Sequence, residues 1–393
     1  MINKVIFGKI LSQLSVGSIK VKYWDDTVKT YGEGDLYSTI TIKDPKVLKD
    51  IILKRDLGFG EAYMDERIIV SDDELLGLLR LTEENSSLIT NSFGKKIGYK
   101  YQINSKKNQK QQIKSHYDLG NEFYKLWLDD TLTYTCAYFK SDNDTLEQAQ
   151  RQKIDHVLRK LQLQKGQEFV DIGCGWGYLV ITAAKKYGAR GLGVTLSKEQ
   201  YQFANNLAKK EGVDHLVSFE NINYQDLISS KKQYDRVVSV GILEHIGKGN
   251  LNQYFNVVNK LLKPGGISVL HSITQQHERE IPAWLDKYIF PGGYIPSLRE
   301  IIKILPDYGM RIIDIENLRP HYVLTLKEWL KRFNMHIPEI TNMYDDRFIH
   351  MWKLYLIGSI SSFNYGDNDL SQIVFTKGIN NDIPITRDFL YKG

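Results

Sequence analysis

The chain of 393 residues predicts an α/β protein in two parts, a doubly wound parallel sheet with a small N-terminal α+β domain ahead of it. Three observations carry that reading. From about residue 115 onward, apolar strand-like runs alternate with helical stretches, the pattern of a sheet covered by helices on both faces. The first of these runs passes straight into a glycine loop, DIGCGWG at 171–177. Ahead of them, NSKKNQKQQ at 104–112 is polar and poor in apolar residues, as a boundary segment should be. The division therefore falls between 1–104 and 105–393.

In the first part, YSTITI (37–42) alternates like a strand. DPKVLKDIILK (44–54) reads as a helix with Asp44 as N-cap and Pro45 at the first helical position. GFGEAYMDE (58–66) is glycine-rich and reads as a turn, and SDDELLGLLRLTEEN (71–85) as a capped amphipathic helix. In the second part, strands are expected at 168–172, 191–195, 216–220, 234–240, 266–272, 310–316 and 371–377. Between the first two lies YLVITAAKKYG (178–188), where Leu179, Val180, Ala183, Ala184 and Tyr187 follow helical spacing and Gly188 suits a C-terminal cap.

Composition narrows the function classes. Hydrophobic residues make up 42% and charged residues 25%, ordinary for a soluble globular chain. Mean hydropathy is −0.35, and no apolar run approaches the ~20 residues of a membrane span. The opening MINKVIFGKILSQL has no clear small-residue cleavage site, so no signal peptide is expected. Two cysteines, Cys136 and Cys174, exclude a disulfide framework and fit a reduced, cytoplasmic setting. The net charge is +5, but Lys95, Lys96, Lys100, Lys106, Lys107, Lys110 and Lys114 crowd one segment free of acids. That segment is either a solvated linker or an attraction to an anionic surface. Nucleic-acid motifs are absent, which favours lipid headgroups over nucleic acid.

The glycine loop points to a nucleoside cofactor. Gly173, Gly175 and Gly177 let the backbone turn tightly and come close to a ligand. Asp171, at the strand end, orients the loop or meets a polar group. A hydride-carrying dinucleotide calls for an acid at the end of the second strand, yet GVTLSKEQ (193–200) places Thr195 there. The Asp-led D-x-G-x-G-x-G form favours S-adenosylmethionine, whose amino acid and nucleoside need no pyrophosphate cradle. Gln200 or Glu199 then supplies the hydrogen bonds of the missing ribose acid.

Several stretches together resemble one family. HYDLGNEFYKLWLDDTLTYTCAYF (116–139), DIGCGWG, GVTLSKEQ, DRVVSVGILEHIG (235–247), LKPGGISVLHSI (262–273) and KYIFPGGYIPS (287–297) are similar to the cyclopropane fatty acid synthases, relatives of the mycolic acid cyclopropane synthases. The resemblance covers roughly residues 115–380. The first ~100 residues resemble the extra N-terminal domain of the bacterial phospholipid enzymes. The resemblance implies a Rossmann-like S-adenosylmethionine-dependent methyltransferase fold. It implies transfer of a methylene group to the cis double bond of an unsaturated membrane phospholipid, with bicarbonate as an enzyme-bound base and no metal. Residues matching the family's bicarbonate ligands are Cys136, Glu244, His271, Ile273 and Tyr322. Those matching its cofactor segments are Tyr134, Thr135, Asp171, Gly173, Cys174, Gly175, Gly177, Thr195, Leu196, Gln200, Asn223 and Tyr224. The family often has Ser at 135 and Asp at 223; Thr135 keeps the hydroxyl, whereas Asn223 keeps only a backbone contact.

The residue types suit that chemistry. An alkene is a weak nucleophile and attacks only a strong electrophile such as a sulfonium methyl. Attack leaves a carbocation-like centre, and ring closure removes one proton from the transferred methyl. The site therefore needs a base and must exclude water. Glu244 is a candidate base by itself. A bicarbonate among Glu244, His271, Tyr322 and the Ile273 amide would partner every polar group. Tyr322 is expected in a loop after a strand, and His271 at the end of one. His245 either faces elsewhere or takes part, and the Cys136 thiol is a bystander unless its backbone matters. Tyr134, Tyr138 and Phe139 are core aromatics, or lie face-on to the cation and shelter it.

The substrate bond lies within a bilayer, so the sequence predicts peripheral association with the inner face of the membrane, with a homodimer compatible but unproven. IPAWLDKYIFPGGYIPS (281–297) is expected as a lid over a lipid channel. The rival readings are a small-molecule amine N-methyltransferase and a lipid-binding protein without catalysis. If the lysine segment attracts anionic lipid at ~1 kcal/mol per cation, vesicle association weakens as salt rises. Unchanged pelleting across a salt series removes that attraction.

Overall fold

The computed structural model describes residues 2–86 and 119–391. The lysine-rich segment and the boundary expected at 104/105 lie outside these residues. The chain forms two compact units. The first takes in Met1–Lys100, Ile281–Pro291 and Leu326–Asp367; the second takes in Tyr101–Glu280, Gly292–Thr325 and Asn368–Gly393.

In the first unit, β1 (Gly17–Lys22), β2 (Val28–Glu33), β3 (Tyr37–Ile42) and β4 (Ile68–Ile69) form a sheet in the order β2-β1-β3-β4. Strand β3 has the bounds its alternation predicts, with Ser38, Ile40 and Ile42 turned inward. Val47 and Leu48 from helix Lys46–Lys54, with Leu78 and Leu81 from helix Asp72–Glu84, complete one core with them. Ser71 caps the second helix as expected, accepting the Glu74 N–H. The first helix departs from expectation: it begins at Lys46 with Pro45 at the cap. Asp44 still accepts the Lys46 N–H at 2.6 Å, while its other oxygen holds Arg67 at 2.6 Å.

The turn expected at 58–66 is instead helical, Asp56–Met64. Its glycines serve packing rather than turning. A Cβ on Gly58 would sit 2.2 Å from the Asp50 carbonyl oxygen, and one on Gly60 would sit 2.1 Å from the Trp284 indole. Trp284 shows what the first residues of the expected lid do. Its ring N–H donates to the Met64 sulfur at 3.2 Å and its amide to Asp56 at 2.9 Å. Nearby, Lys287 pairs with Glu61 at 2.6 Å. Residues 281–291 are thus built into the first unit. Helix Asp346–Tyr365 joins it through Lys353, which holds Asp72 at 3.0 Å.

The second unit carries β5 (Glu168–Ile172), β6 (Arg190–Val194), β7 (Val217–Glu220), β8 (Tyr234–Val240), β9 (Leu262–Gln275), β10 (Met310–Asn317) and β11 (Asn368–Lys377). They form one sheet in the order β10-β11-β9-β8-β5-β6-β7. From β9 to β7 all neighbours run parallel, and β11 lies antiparallel to both β9 and β10. Helices Leu146–Leu161, Tyr178–Tyr187 and Lys198–Lys210 cover one face. Helices Leu251–Leu261 and Leu298–Asp307 cover the other. Gly188 ends its helix in the left-handed region, as its position predicts. Strands β5 and β8 have the expected bounds. Strand β9 runs past His271 because its end stays paired with β11 through Gln275 and Asn368.

Replacing Gly60 by Val should lower stability by about 1–3 kcal/mol through overpacking against Trp284. Denaturant titration checks this, and an unchanged midpoint would remove the close-packing account of that glycine.

Candidate active site

The strand order reverses at β5, which lies between β6 and β8. In an open parallel sheet the crevice beyond the carboxyl ends at such a point is where ligands bind. The loop after β5 makes that crevice. Gly173 has φ 81° and donates its N–H to the Val194 carbonyl at 2.9 Å. A Cβ there would strike Ile242 at 2.1 Å, so only glycine fits.

A pocket opens at this place. Tyr134, Thr135, Asp171, Gly173, Cys174, Gly175, Thr195, Leu196, Gln200 and Tyr224 all line it. Gly177 and Asn223 do not: Gly177 caps helix Tyr178–Tyr187, and Asn223 accepts the Gln225 N–H at 2.9 Å. Of the two candidates Gln200 and Glu199, only Gln200 lines this pocket. Gln200 is buried and accepts the Thr195 hydroxyl at 2.7 Å, whereas Glu199 is exposed.

The amino-acid sequence alone did not single out Lys153, which lines the same pocket and is 2% exposed. Its ammonium donates to the Thr135 hydroxyl at 2.5 Å. Burial pulls its pKa down to about 8, opposed by Cys136, Asp129 and Asp171. Burial pushes Asp171 up to about 7, with Lys153 opposing. Asp171 Oδ1 is buried with no hydrogen-bond partner among the described residues. A signal for Lys153 did exist. Gln150, Lys153 and Lys160 fall in phase with Ala149, Ile154, Val157 and Leu161 on the buried face of helix Leu146–Leu161, where a polar residue needs a reason.

The other polar cluster is assembled from five segments. Glu244 lies in a short helical turn after β8, and its Oε1 accepts the Ile273 N–H at 2.5 Å. Its Oε2 is buried and unpartnered among the described residues. Burial raises its pKa to about 7, opposed by the Ile273 amide. His271, four residues before the end of β9, also presents a buried unpartnered atom, Nε2. Its backbone oxygen accepts the Gly241 N–H at 2.8 Å, tying it to the pocket wall. Cys136 and Tyr322 meet at one acceptor, the Leu318 carbonyl: the thiol lies 4.0 Å from it and the Tyr322 amide 3.2 Å. Leu318 in turn donates to Leu370, the partner of Ile273 in the sheet. One hydrogen-bonded frame therefore connects Cys136, Tyr322, Ile273 and Glu244.

The placement of Tyr322 and of the Ile273 amide differs from expectation, whereas the Cys136 thiol is the bystander expected. Tyr322 sits in helix Arg319–Met335 rather than a loop. The Ile273 N–H is taken by Glu244, so it reaches any ligand only through that carboxylate. The Cys136 thiol is fully buried and its pKa is pushed far up by burial, which suits an inert sulfur. Tyr138 is stacked between His156 (4.3 Å, 17°) and His321 (4.7 Å, 16°). Both faces of its ring are covered, so it cannot lie face-on to a substrate cation. Tyr134 keeps its place in the pocket wall, packed against Tyr124 and Trp127. His245 lines the pocket and burial draws its pKa down to about 4.

Comparison with known proteins places the chain. Residues 104–373 match the family model described as mycolic acid cyclopropane synthetase, and residues 6–92 match a domain of unknown function. The chain is 36% identical to the cyclopropane-fatty-acyl-phospholipid synthase of Escherichia coli K12 over 363 residues, covering 90% of this chain and 92% of that one. It is 32% identical to a probable fatty acid methyltransferase of Pseudomonas putida over 383 residues, covering 95% and 96%. Among solved structures, a mycolic acid cyclopropane synthase complexed with SAH and CTAB is 31% identical, with a TM-score of 0.65 over 68% of this chain and 98% of that one.

The raised Glu244 pKa sets a pH test. Its folded pKa of about 7 lies above the ordinary 4.5. Its contribution to stability is therefore present below about pH 4.5 and lost as pH rises through 7. Glu244→Gln should melt with the parent near pH 4.5 and be more stable at pH 8, by up to ~3 kcal/mol. Equal melting at both pH values would show that the carboxyl is not held in a costly charged form.

Proposed function

The chain belongs to the mycolic acid cyclopropane synthetase family, and on that premise we propose that it adds a methylene bridge across the cis double bond of an unsaturated phospholipid acyl chain. The observation that carries this is the pairing of a glycine-loop pocket with two buried atoms that have no partner among the described residues, Glu244 Oε2 and His271 Nε2. Unsatisfied buried polar groups cost ~1–3 kcal/mol each, so a fold retains them where a ligand completes them.

S-adenosylmethionine, when bound, supplies an electrophilic methyl group on a sulfonium. Asp171, Thr195, Gln200 and Tyr134 are the pocket residues that would hold its polar ends and its base, with Gly173 and Gly175 giving the backbone room. Bicarbonate, when bound, supplies a base for the proton lost on ring closure. Glu244, His271 and Tyr322 would hold it, with Cys136 and Ile273 shaping the frame. Burial raises the Glu244 pKa toward neutrality; protonated, its Oε2 would donate a hydrogen bond to the bound anion, and ionised, it would accept one from the bicarbonate hydroxyl. Phe123, Tyr124, Trp127 and Trp176 are buried in the same unit, three of them in edge or tilted contact around Tyr124. They exclude water that would quench a cationic intermediate.

The acceptor bond lies in a bilayer, so the protein works as a peripheral enzyme at the inner membrane face. Among the described residues no helix is long and apolar enough to cross a membrane. An amine acceptor would need neither the Glu244 and His271 cluster nor a shelter for a cation.

The test incubates the purified full chain with methyl-labelled S-adenosylmethionine and vesicles of unsaturated phospholipid. Label should appear in fatty acids heavier by one CH2 and lacking the double bond. Glu244→Gln should lower turnover, by up to roughly 10²–10⁴-fold where the bicarbonate base that Glu244 would hold is lost with it. Label passing to small amines and not to lipid would overturn the reading.

A further inference from the structure

Behind His271 lies a row of buried polar side chains that the reaction does not itself require. Gln372, on β11, is the cross-strand partner of His271 on β9. Its Nε2 lies 3.0 Å from His271 Nδ1, and its Oε1 lies 2.7 Å from Lys160 Nζ. Lys160 is also paired with Glu316, which accepts from His156 Nε2 at 2.6 Å as well. Lys160 is 1% exposed, Gln372 0% and His271 1%.

Each of these groups has a fixed hydrogen-bonding sense. An ammonium has three donors and no acceptor, so the face that Gln372 turns to Lys160 must be its carbonyl oxygen. Its NH2 is then left facing the imidazole, and an NH2 only donates. The atom that receives this hydrogen bond, Nδ1, must carry a lone pair. A doubly protonated ring is excluded by the same contact, because two N–H groups would point at each other. The single ring proton is therefore on Nε2, the atom that has no partner among the described residues.

We propose that Lys160 and Gln372 are positioning residues that lock His271 in its neutral Nε2–H form, so that the ring presents a hydrogen-bond donor, not a lone pair, to the site. The ligand at that point is then an acceptor, an oxyanion oxygen, and His271 is barred from acting as the proton-abstracting base. Burial works the same way, drawing the His271 pKa well below its ordinary value. Glu316 supports the arrangement. Although burial opposes it, His156 and Lys160 hold its carboxyl down to about 2, so it stays charged and keeps the lysine an ammonium. The second nitrogen of a working imidazole is commonly set by such a partner. Here the partner is a neutral amide that is itself oriented by a buried ion pair.

The proposal rests on the reading of His271 as a site residue, but its first test needs no substrate. The full chain is labelled with ¹⁵N-histidine, and the His271 signals are identified by their loss in His271→Asn. Long-range ¹H–¹⁵N correlations should show Nδ1 as the bare nitrogen and Nε2 as the protonated one, across the pH range in which the protein is folded. Gln372→Met removes the donor at similar volume and should give a mixture of tautomers. It should also lower kcat roughly 10–10⁴-fold with little change in KM for S-adenosylmethionine. Lys160→Met, which frees the amide to turn, should mix the tautomers in the same way. A protonated Nδ1 in the parent protein overturns the proposal, as does a Gln372→Met protein with unchanged tautomer and kcat. If the parent spectrum is as expected but no cyclopropane product forms, the assigned reaction fails and the tautomer lock stands.

Discussion

A lysine ammonium buried at the floor of the pocket sets the terms for the groups around it. Lys153 has almost no contact with water, and its burial is offset by Thr135, Asp129 and Asp171. It opposes the rise that burial imposes on Asp171, Asp129 and the Cys136 thiol, and it helps to hold His271 neutral. A water-accessible lysine would be screened and would do none of this. One cation in a dry place thus acts on both the carboxylate beside the glycine loop and the His271 imidazole. It also gives the pocket opposite charges at close quarters, which suits a ligand with a zwitterionic amino-acid end.

The sheet supplies the geometry that charge alone cannot. β5, β8 and β9 run parallel, and their carboxyl ends deliver Asp171, Glu244 and His271 to the same edge. Strand β11 enters antiparallel beside β9 and has two tasks. It extends the hydrogen-bonded ladder past His271, so the imidazole is held within a strand and not at a fraying end. It also contributes Gln372 from the directly opposed position, where side chains meet. Leu318 does similar service by accepting from Cys136 and Tyr322 while donating to Leu370. These residues are thereby anchored on backbone ladders.

Two buried cations lie on one helix, Leu146–Leu161, with different duties. Lys153 acts on the pocket, and Lys160, two turns on, is neutralised by Glu316 and orients Gln372. His156, between them, bonds Glu316 and stacks on Tyr138. That stack explains why an aromatic beside Cys136 is unavailable to a substrate: its faces are already occupied by imidazoles. Tyr134, by contrast, keeps its place in the pocket wall.

The amino-acid sequence by itself determined the sheet, its glycine loop and much of the site, because those depend on local pattern. Apolar runs of strand length, a glycine triplet after one of them, a glutamate just beyond another and a histidine within a third are short-range signals, and the structure places them at one edge. The helix at 56–64 was misread because Gly58 and Gly60 carry no mark of whether they turn the chain or admit a neighbour. Only Asp50 and Trp284, brought up by folding, decide that. Lys153 was legible in principle as a polar residue on an apolar face, but its worth depends on which carboxylates lie across from it. Gln372 had no local signal at all, being 101 residues from the imidazole it faces. Hydrogen-bond direction passes from side chain to side chain in space, so the protonation of His271 was decided by the pairing of β9 with β11 and not by any stretch of chain.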